Sequence, residues 1–215
     1  MPTTECSAIE KGLSGNTIAF LKKNVIKTDT NPEKGFPSSA SRTLDFDDAG
    51  QTKQGGRLYS LTTPNNSKLI NGLLTVSYLP WGEDTGYYIV LEPKGGPDIM
   101  MTATLSGCAV GYLRAGDGAV RVSHHNVQSS KMDFEQKNTL GFTNNTLHNS
   151  DYRYTTEDTE GEFIFDRQGL GFVFGVRRNK KWTMYYQKVE QTLKSHSKIY
   201  QPTIETFSIS GVGVF

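Results

Sequence analysis

Short runs in which apolar and polar residues alternate recur along most of the chain, each closed off by Gly, Pro or Asn. Period-two alternation puts one set of side chains on each face of an extended strand, so this pattern selects a β-rich fold. Such runs lie at Thr17 to Leu21, Arg57 to Leu61, Lys68 to Leu79, Tyr87 to Leu91, Ile99 to Leu105, Ala109 to Leu113, Ala119 to Ser123, Gly171 to Val176, Trp182 to Gln187 and Phe207 to Phe215. Asn179-Lys180 and Ala115-Gly116-Asp117-Gly118 provide the tight reversals of two hairpins. One short helix is expected over residues 4 to 13, where Ser7 and Glu10 fit a capping box and Ile9 and Leu13 share a face. Residues 22 to 56 are polar, with Asn31-Pro32 and Gly35-Phe36-Pro37 as turn marks, and are expected to form a long surface excursion. The expectation is a mainly β (α+β) fold, a β-sandwich of mostly antiparallel strands with a few short helices. At 215 residues, a single domain spanning 1–215 accounts for it.

Charge and cysteine usage narrow the chemistry. Lys plus Arg number 23 against 22 Asp plus Glu, a formal charge of +1, which supplies no field to hold a nucleic acid. No run approaches a membrane-spanning length, and the start of the chain shows no basic cluster followed by an apolar segment, so neither a membrane nor a standard signal peptide is expected. Two cysteines, Cys6 and Cys108, stand far apart without metal-type spacing. The sequons Asn65-Asn66-Ser67 and Asn144-Asn145-Thr146 read as polar turns.

The candidate for chemistry lies in the first hairpin. If residues 114 and 118 close its loop, Cys108 faces His124; a register one residue longer makes it face His125. Either pairing joins a thiol to an imidazole, the unit of cysteine nucleophile chemistry. Ser106-Gly107 breaks strand continuity just ahead of the sulfur and leaves peptide N–H groups free to bind an oxyanion. The competing reading is a buried structural cysteine in an ordinary bulged strand, in a non-catalytic β-sandwich binding protein. The pair His124-His125 also suggests a metal, but neighbours on a strand point to opposite faces unless the strand has ended, and no nearby carboxylate cluster completes a site, so none is expected. Arg177-Arg178-Asn179-Lys180-Lys181 reads as a solvated hairpin tip, with a docking contact as the alternative.

Leu105-Ser106-Gly107-Cys108 followed one hairpin later by a histidine resembles the cysteine-dependent glutamine deamidases of the cytotoxic necrotizing factor type. Leu79-Pro80-Trp81 ahead of the cysteine, the Asp98-initiated apolar run, the Gly116-Asp117-Gly118 turn and the later hairpin ending in Tyr186-Gln187 extend the resemblance over about residues 79 to 126 and, more loosely, 169 to 188. The resemblance implies a catalytic set of Cys108 as nucleophile, His124 through Val122-Ser123-His124, and Thr102, six residues ahead of the cysteine. Leu105, Ser106 and Gly107 are the motif and oxyanion residues, and His125 stays open as the alternative histidine. It also implies a toxin or effector, without cofactor or metal, that converts a glutamine of a host protein of the GTPase or translation-initiation helicase class to glutamate. Such a protein is expected to be a monomer, secreted or delivered by a non-standard route, and to act in the host-cell cytosol. A transglutaminase or a chemoreceptor-type deamidase with related Cys-His chemistry is the enzymatic alternative. The stretch Val127 to Glu160 shows no match to the family.

Overall fold

The computed structural model describes residues 4–28, 41–62, 73–80, 86–125, 146–196 and 199–215. Two helices, α1 (Thr4–Ser14) and α2 (Thr17–Leu21), precede thirteen strands. These are β1 (Val25–Lys27), β2 (Ser41–Gln51), β3 (Arg57–Thr62), β4 (Leu74–Leu79), β5 (Gly86–Leu91), β6 (Ile99–Thr102), β7 (Ala109–Arg114), β8 (Val120–His125), β9 (Thr146–Leu147), β10 (Thr155–Glu160), β11 (Phe163–Arg178), β12 (Lys181–His196) and β13 (Ile199–Val214). A nine-stranded sheet runs β1-β3-β2-β4-β6-β11-β12-β13, with β10 beside β11, and a four-stranded sheet runs β5-β8-β7-β9. Among the described residues only β1 with β3 and β4 with β6 pair in parallel. The expected mainly β sandwich is therefore the observed architecture, with helices added as a third layer.

Each face of the large sheet owns a core. Along β11, Leu170, Phe172, Phe174 and Val176 turn toward Ile9 and Leu13 of α1 and Leu21 of α2. Val173 turns the other way and joins Met100, Trp182 and Met184 against Ile89, Val110, Tyr112, Val120 and Val122 of the small sheet. That alternation is the strand period expressed in two layers of burial. The large sheet also curls until its edges meet: Lys27 of β1 forms an ion pair with Glu205 of β13 at 3.0 Å, and the Lys53 N–H donates to the Phe207 carbonyl at 2.9 Å. Contacts of this kind shield edge strands from other chains.

Several expectations are corrected. Thr17 to Leu21 is a helix, because the Asn16 side chain accepts the Ala19 N–H at 3.0 Å and caps it. Residues 22 to 56 are not one surface excursion: Val25–Lys27 and Ser41–Gln51 are strands, and Leu44, Asp45 and Phe46 are buried. Asp45, Asp47 and Asp48 hide the strand's alternation in the sequence, and of the proposed excursion 29–40 lies outside the described residues. The short helix of residues 4 to 13 is present as Thr4–Ser14, with Ser7 and Glu10 inside it rather than at its start. The Arg177–Lys181 tip is only partly solvated. Arg177 binds the carbonyls of Glu92, Gly95 and Gly96 and the Asp98 carboxylate, while Arg178 binds the carbonyls of Leu13, Ser14 and Gly15 where α1 ends.

Gln187 ties α2 to the sheet. Fully buried on β12, it donates from Nε2 to the carbonyls of Leu21 at 2.6 Å and Asn24 at 2.7 Å. Gln187→Met keeps the volume but strands a buried and a partly buried carbonyl, so unfolding in urea should show a loss of about 2 kcal/mol. Stability equal to the wild type would mean that these bonds do not hold the helix.

Candidate functional site

The chain crosses from one sheet to the other at the Leu105–Cys108 motif. Leu105 makes an isolated bridge with Gly171: its N–H donates to the Gly171 carbonyl at 2.8 Å, and its carbonyl accepts the Gly171 N–H at 2.9 Å. Ser106 is exposed, Gly107 half-buried, and Cys108 is buried at the mouth of β7. Ser106-Gly107 thus interrupts the strand as expected, and the N–H groups of Ser106 and Cys108 make no backbone bond among the described residues.

The hairpin register differs from both expected ones. Arg114 pairs with Val120, Val110 with His124 and Ala109 with His125. Ala115 and Ala119 close the loop around Gly116-Asp117-Gly118; the Asp117 side chain accepts the Ala119 N–H at 2.9 Å, and Gly118 takes φ 91°. This three-residue turn moves the pairing beyond both expected registers, so Cys108 stands directly opposite neither histidine. Alternation still separates the two. Val110 and His124 share a face, and Cys108 joins Val110 in the core between the sheets. His125 shares the other face with Ala109 and, across β5, with Gly86. His124 is therefore the histidine diagonal to the sulfur on the same inner face, a relation that places Cβ atoms roughly 7–8 Å apart or somewhat less.

Burial governs the protonation states. The His124 ring is 1% exposed, and neither of its nitrogens has a hydrogen-bond partner among the described residues. Burial lowers its pKa to about 3, helped by the neighbouring His125; the Pro80 and Leu79 carbonyls oppose this without closing a bond of good geometry. His125 is lowered to about 4 by burial and by the Arg121 guanidinium. Burial also pushes the Cys108 thiol up to about 11, against a backbone hydrogen bond from Gly107 and the charge of Arg153. The resting pair is a neutral thiol and a neutral imidazole rather than an ion pair.

Thr102 ends β6 on the inner side with its Oγ1 accepting the Val173 N–H at 3.2 Å and its carbonyl accepting the Thr28 hydroxyl at 2.9 Å. Its described bonds fasten β6 to β11 and do not reach a histidine. Trp81 and 127–145 lie outside the described residues. Two residues missed in the sequence complete the surroundings. Buried Tyr152 donates its hydroxyl to the Cys108 carbonyl at 2.6 Å, and Arg153 lies against Gly107. The aromatic-cationic triplet Tyr152-Arg153-Tyr154, isolated in an acidic stretch, was the available signal. A groove of about 550 Å³ lined by Tyr88, Leu91, Lys94, Pro97 and Trp182 contains none of the candidate residues. Among the described residues no group of three or more His, Cys, Asp and Glu could hold a metal ion, and no helix is long and apolar enough to cross a membrane.

The chain is thus a two-sheet, mainly β protein with a buried thiol and imidazole on one inner face. No protein-family model matches it, and no curated protein is significantly similar. Among solved structures it is similar to the C-terminal domain of CNFy from Yersinia pseudotuberculosis, with a TM-score of 0.43 and 11% identity over 100% of this chain and 99% of that one.

The neutral histidines make stability depend on pH. Both folded pKa values lie below the ordinary 6.5, so as pH falls through 6.5 the unfolded chain takes up protons first, and stability present above 6.5 is lost toward pH 4 and 3. Urea midpoints should drop between about pH 7 and about pH 5, the unfolding free energy falling below pH 6.5 by roughly 1.4 kcal/mol per pH unit per histidine. His125→Gln should roughly halve that slope. Equal midpoints at the two pH values would refute the neutral assignment.

Proposed function

We propose that this protein is a protein-glutamine deamidase with Cys108 as nucleophile and His124 as its general base. The observation that carries the reading is that the Leu-Ser-Gly-Cys segment bridges the two sheets and sets Cys108 on the same inner face as a fully buried histidine whose ring nitrogens have no hydrogen-bond partner among the described residues. A buried polar ring without a bond is costly, and such an exception in a core fits a group reserved for chemistry.

Because both groups rest neutral, the proton moves during attack. Cys108 Sγ bonds to the side-chain carbonyl carbon of a glutamine as His124 takes the thiol proton. The carbonyl electrons move to oxygen, where N–H groups of the Ser106–Cys108 turn receive the oxyanion. On collapse the C–N bond breaks, the imidazolium gives its proton to the nitrogen, and ammonia leaves. His124 then deprotonates a water that attacks the thioester, and the thiol is restored with the product glutamic acid. Thr102 acts as a positioning residue by fixing β6 against β11.

The substrate is a glutamine on a host protein, of the GTPase or translation-initiation helicase class, reached after delivery into host cytosol by a non-standard route. The resemblance of Leu105 to Cys108 and the downstream histidine to the necrotizing-factor deamidases supports this part. A non-catalytic sandwich is the second reading, favoured by the thiol's burial and raised pKa.

Host-cell lysate treated with wild type and Cys108→Ser should differ in peptides carrying a Gln-to-Glu change, about 1 Da heavier. His124→Ala should lower conversion by about 10²–10⁴-fold, the usual worth of a general base, while His125→Ala should retain most of it. Identical peptide sets from wild type and Cys108→Ser would sink the deamidase reading, and equal activity of His124→Ala would remove that histidine from the mechanism.

A further inference from the structure

We infer that Arg153 is a positioning residue that sets the charge at Cys108, and that Gly107 lacks a side chain so that the guanidinium can lie against it. The inference rests on the reading of Cys108 as nucleophile but concerns a residue outside the motif.

Arg153 is held to the cysteine by its neighbours. A 3₁₀ turn at Asn149–Asp151 is closed by Tyr152 N–H to Asn149 carbonyl at 3.3 Å, Arg153 N–H to the same carbonyl at 2.8 Å, and His148 N–H to Asp151 Oδ2 at 2.8 Å. Tyr152 then donates to the carbonyl of Cys108 itself. The next residue is thereby anchored to the nucleophile's own peptide. A Cβ at Gly107 would stand 3.2 Å from Arg153 Nη1 and 3.6 Å from Cζ, so the guanidinium rests on the bare face of the peptide immediately before Cys108. Among the described residues no ion pair engages Arg153. Its charge is therefore available to the sulfur.

The groups facing the sulfur leave this role open for Arg153. His124, from β8, is neutral and contributes no cation at rest. The Tyr152 phenol is pushed far up by burial and stays neutral. The Gly107 peptide contributes one hydrogen bond, and Arg153 is the remaining influence that favours the thiolate. A guanidinium stays charged at every working pH and so can stabilise negative charge first on sulfur and then on the tetrahedral oxygen. No bond to Arg153 forms or breaks.

The test is the pH dependence of Cys108 alkylation by iodoacetamide, read on the Cys108 peptide by mass spectrometry. Arg153→Gln should shift the profile up by about one pH unit and slow alkylation near neutral pH about tenfold, and Arg153→Lys should recover most of the rate. Gly107→Ala, which pushes the guanidinium away, should shift it the same way. Turnover by Arg153→Gln should fall mainly in kcat. Coincident profiles for wild type and Arg153→Gln overturn the inference, as does a wild-type Cys108 that resists alkylation at every pH. A shifted profile in a protein that converts no glutamine leaves the inference standing and removes the deamidase reading. Conversion with coincident profiles does the reverse.

Discussion

The two hydrogen bonds between Leu105 and Gly171 fix the point where the chain leaves the large sheet for the small one. Everything that could act on the sulfur is referred to that point. Upstream, Thr102 is fastened to the Val173 N–H on the same strand. Downstream, Cys108 enters β7 within three residues of the bridge and so cannot drift from β11. The strand is glycine-rich there for a steric reason. A Cβ at Gly169 would lie 1.7 Å from the Tyr152 carbonyl oxygen, and Gly169 donates its own N–H to Tyr154 at 2.9 Å. The segment carrying Tyr152 and Arg153 can therefore lie flat on β11 and reach the cysteine.

The same arrangement determines which chemistry is accessible. A core of Leu105, Val110, Leu147 and Tyr152 packs about Cys108 and leaves it 7% exposed, and desolvation then disfavours both the thiolate and the imidazolium. Creating an ion pair in that medium without further bonds would cost several kcal/mol per ion. A neutral pair avoids this cost until a carbonyl arrives to take the developing charge. In the proposed deamidation, attack and proton transfer then belong to one step, and N–H groups of the motif turn matter only in it. This is differential stabilisation of the charged species rather than storage of a reactive thiolate.

Much of this was legible in residues. The Gly116-Asp117-Gly118 turn, the hairpin about Asn179-Lys180 and the Leu105–Cys108 break all stand where local turn chemistry puts them. Asn179 and Lys180 adopt φ 52° and 65°, as a two-residue hairpin turn requires. The misses have physical causes. The three-residue loop closes one position later than expected, at Ala115 and Ala119, which no count of alternating residues reveals, and this shift displaced Cys108 from its expected partner. Strand β2 escaped notice because Asp45, one of its three buried residues, is ionisable; its Oδ1 accepts the neighbouring Phe46 N–H at 3.0 Å. Tyr152 and Arg153 act through contacts more than 40 residues distant in sequence and belong to a stretch without apolar period. Tertiary placement of that kind leaves little local trace beyond the aromatic-cationic triplet Tyr152-Arg153-Tyr154.

The choice between adjacent histidines shows how little geometry is needed once a register is known. Adjacent strand residues face opposite ways, so a single residue of slip exchanges their roles. With Val110 opposite His124, the inner position falls to His124, while His125 packs its ring against Gly86, whose added Cβ would stand 3.0 Å from it. His125 also lowers the pKa of His124, second to burial. Burial above all keeps His124 neutral at rest, and in the proposed reaction a base must be neutral before it can accept the proton of Cys108.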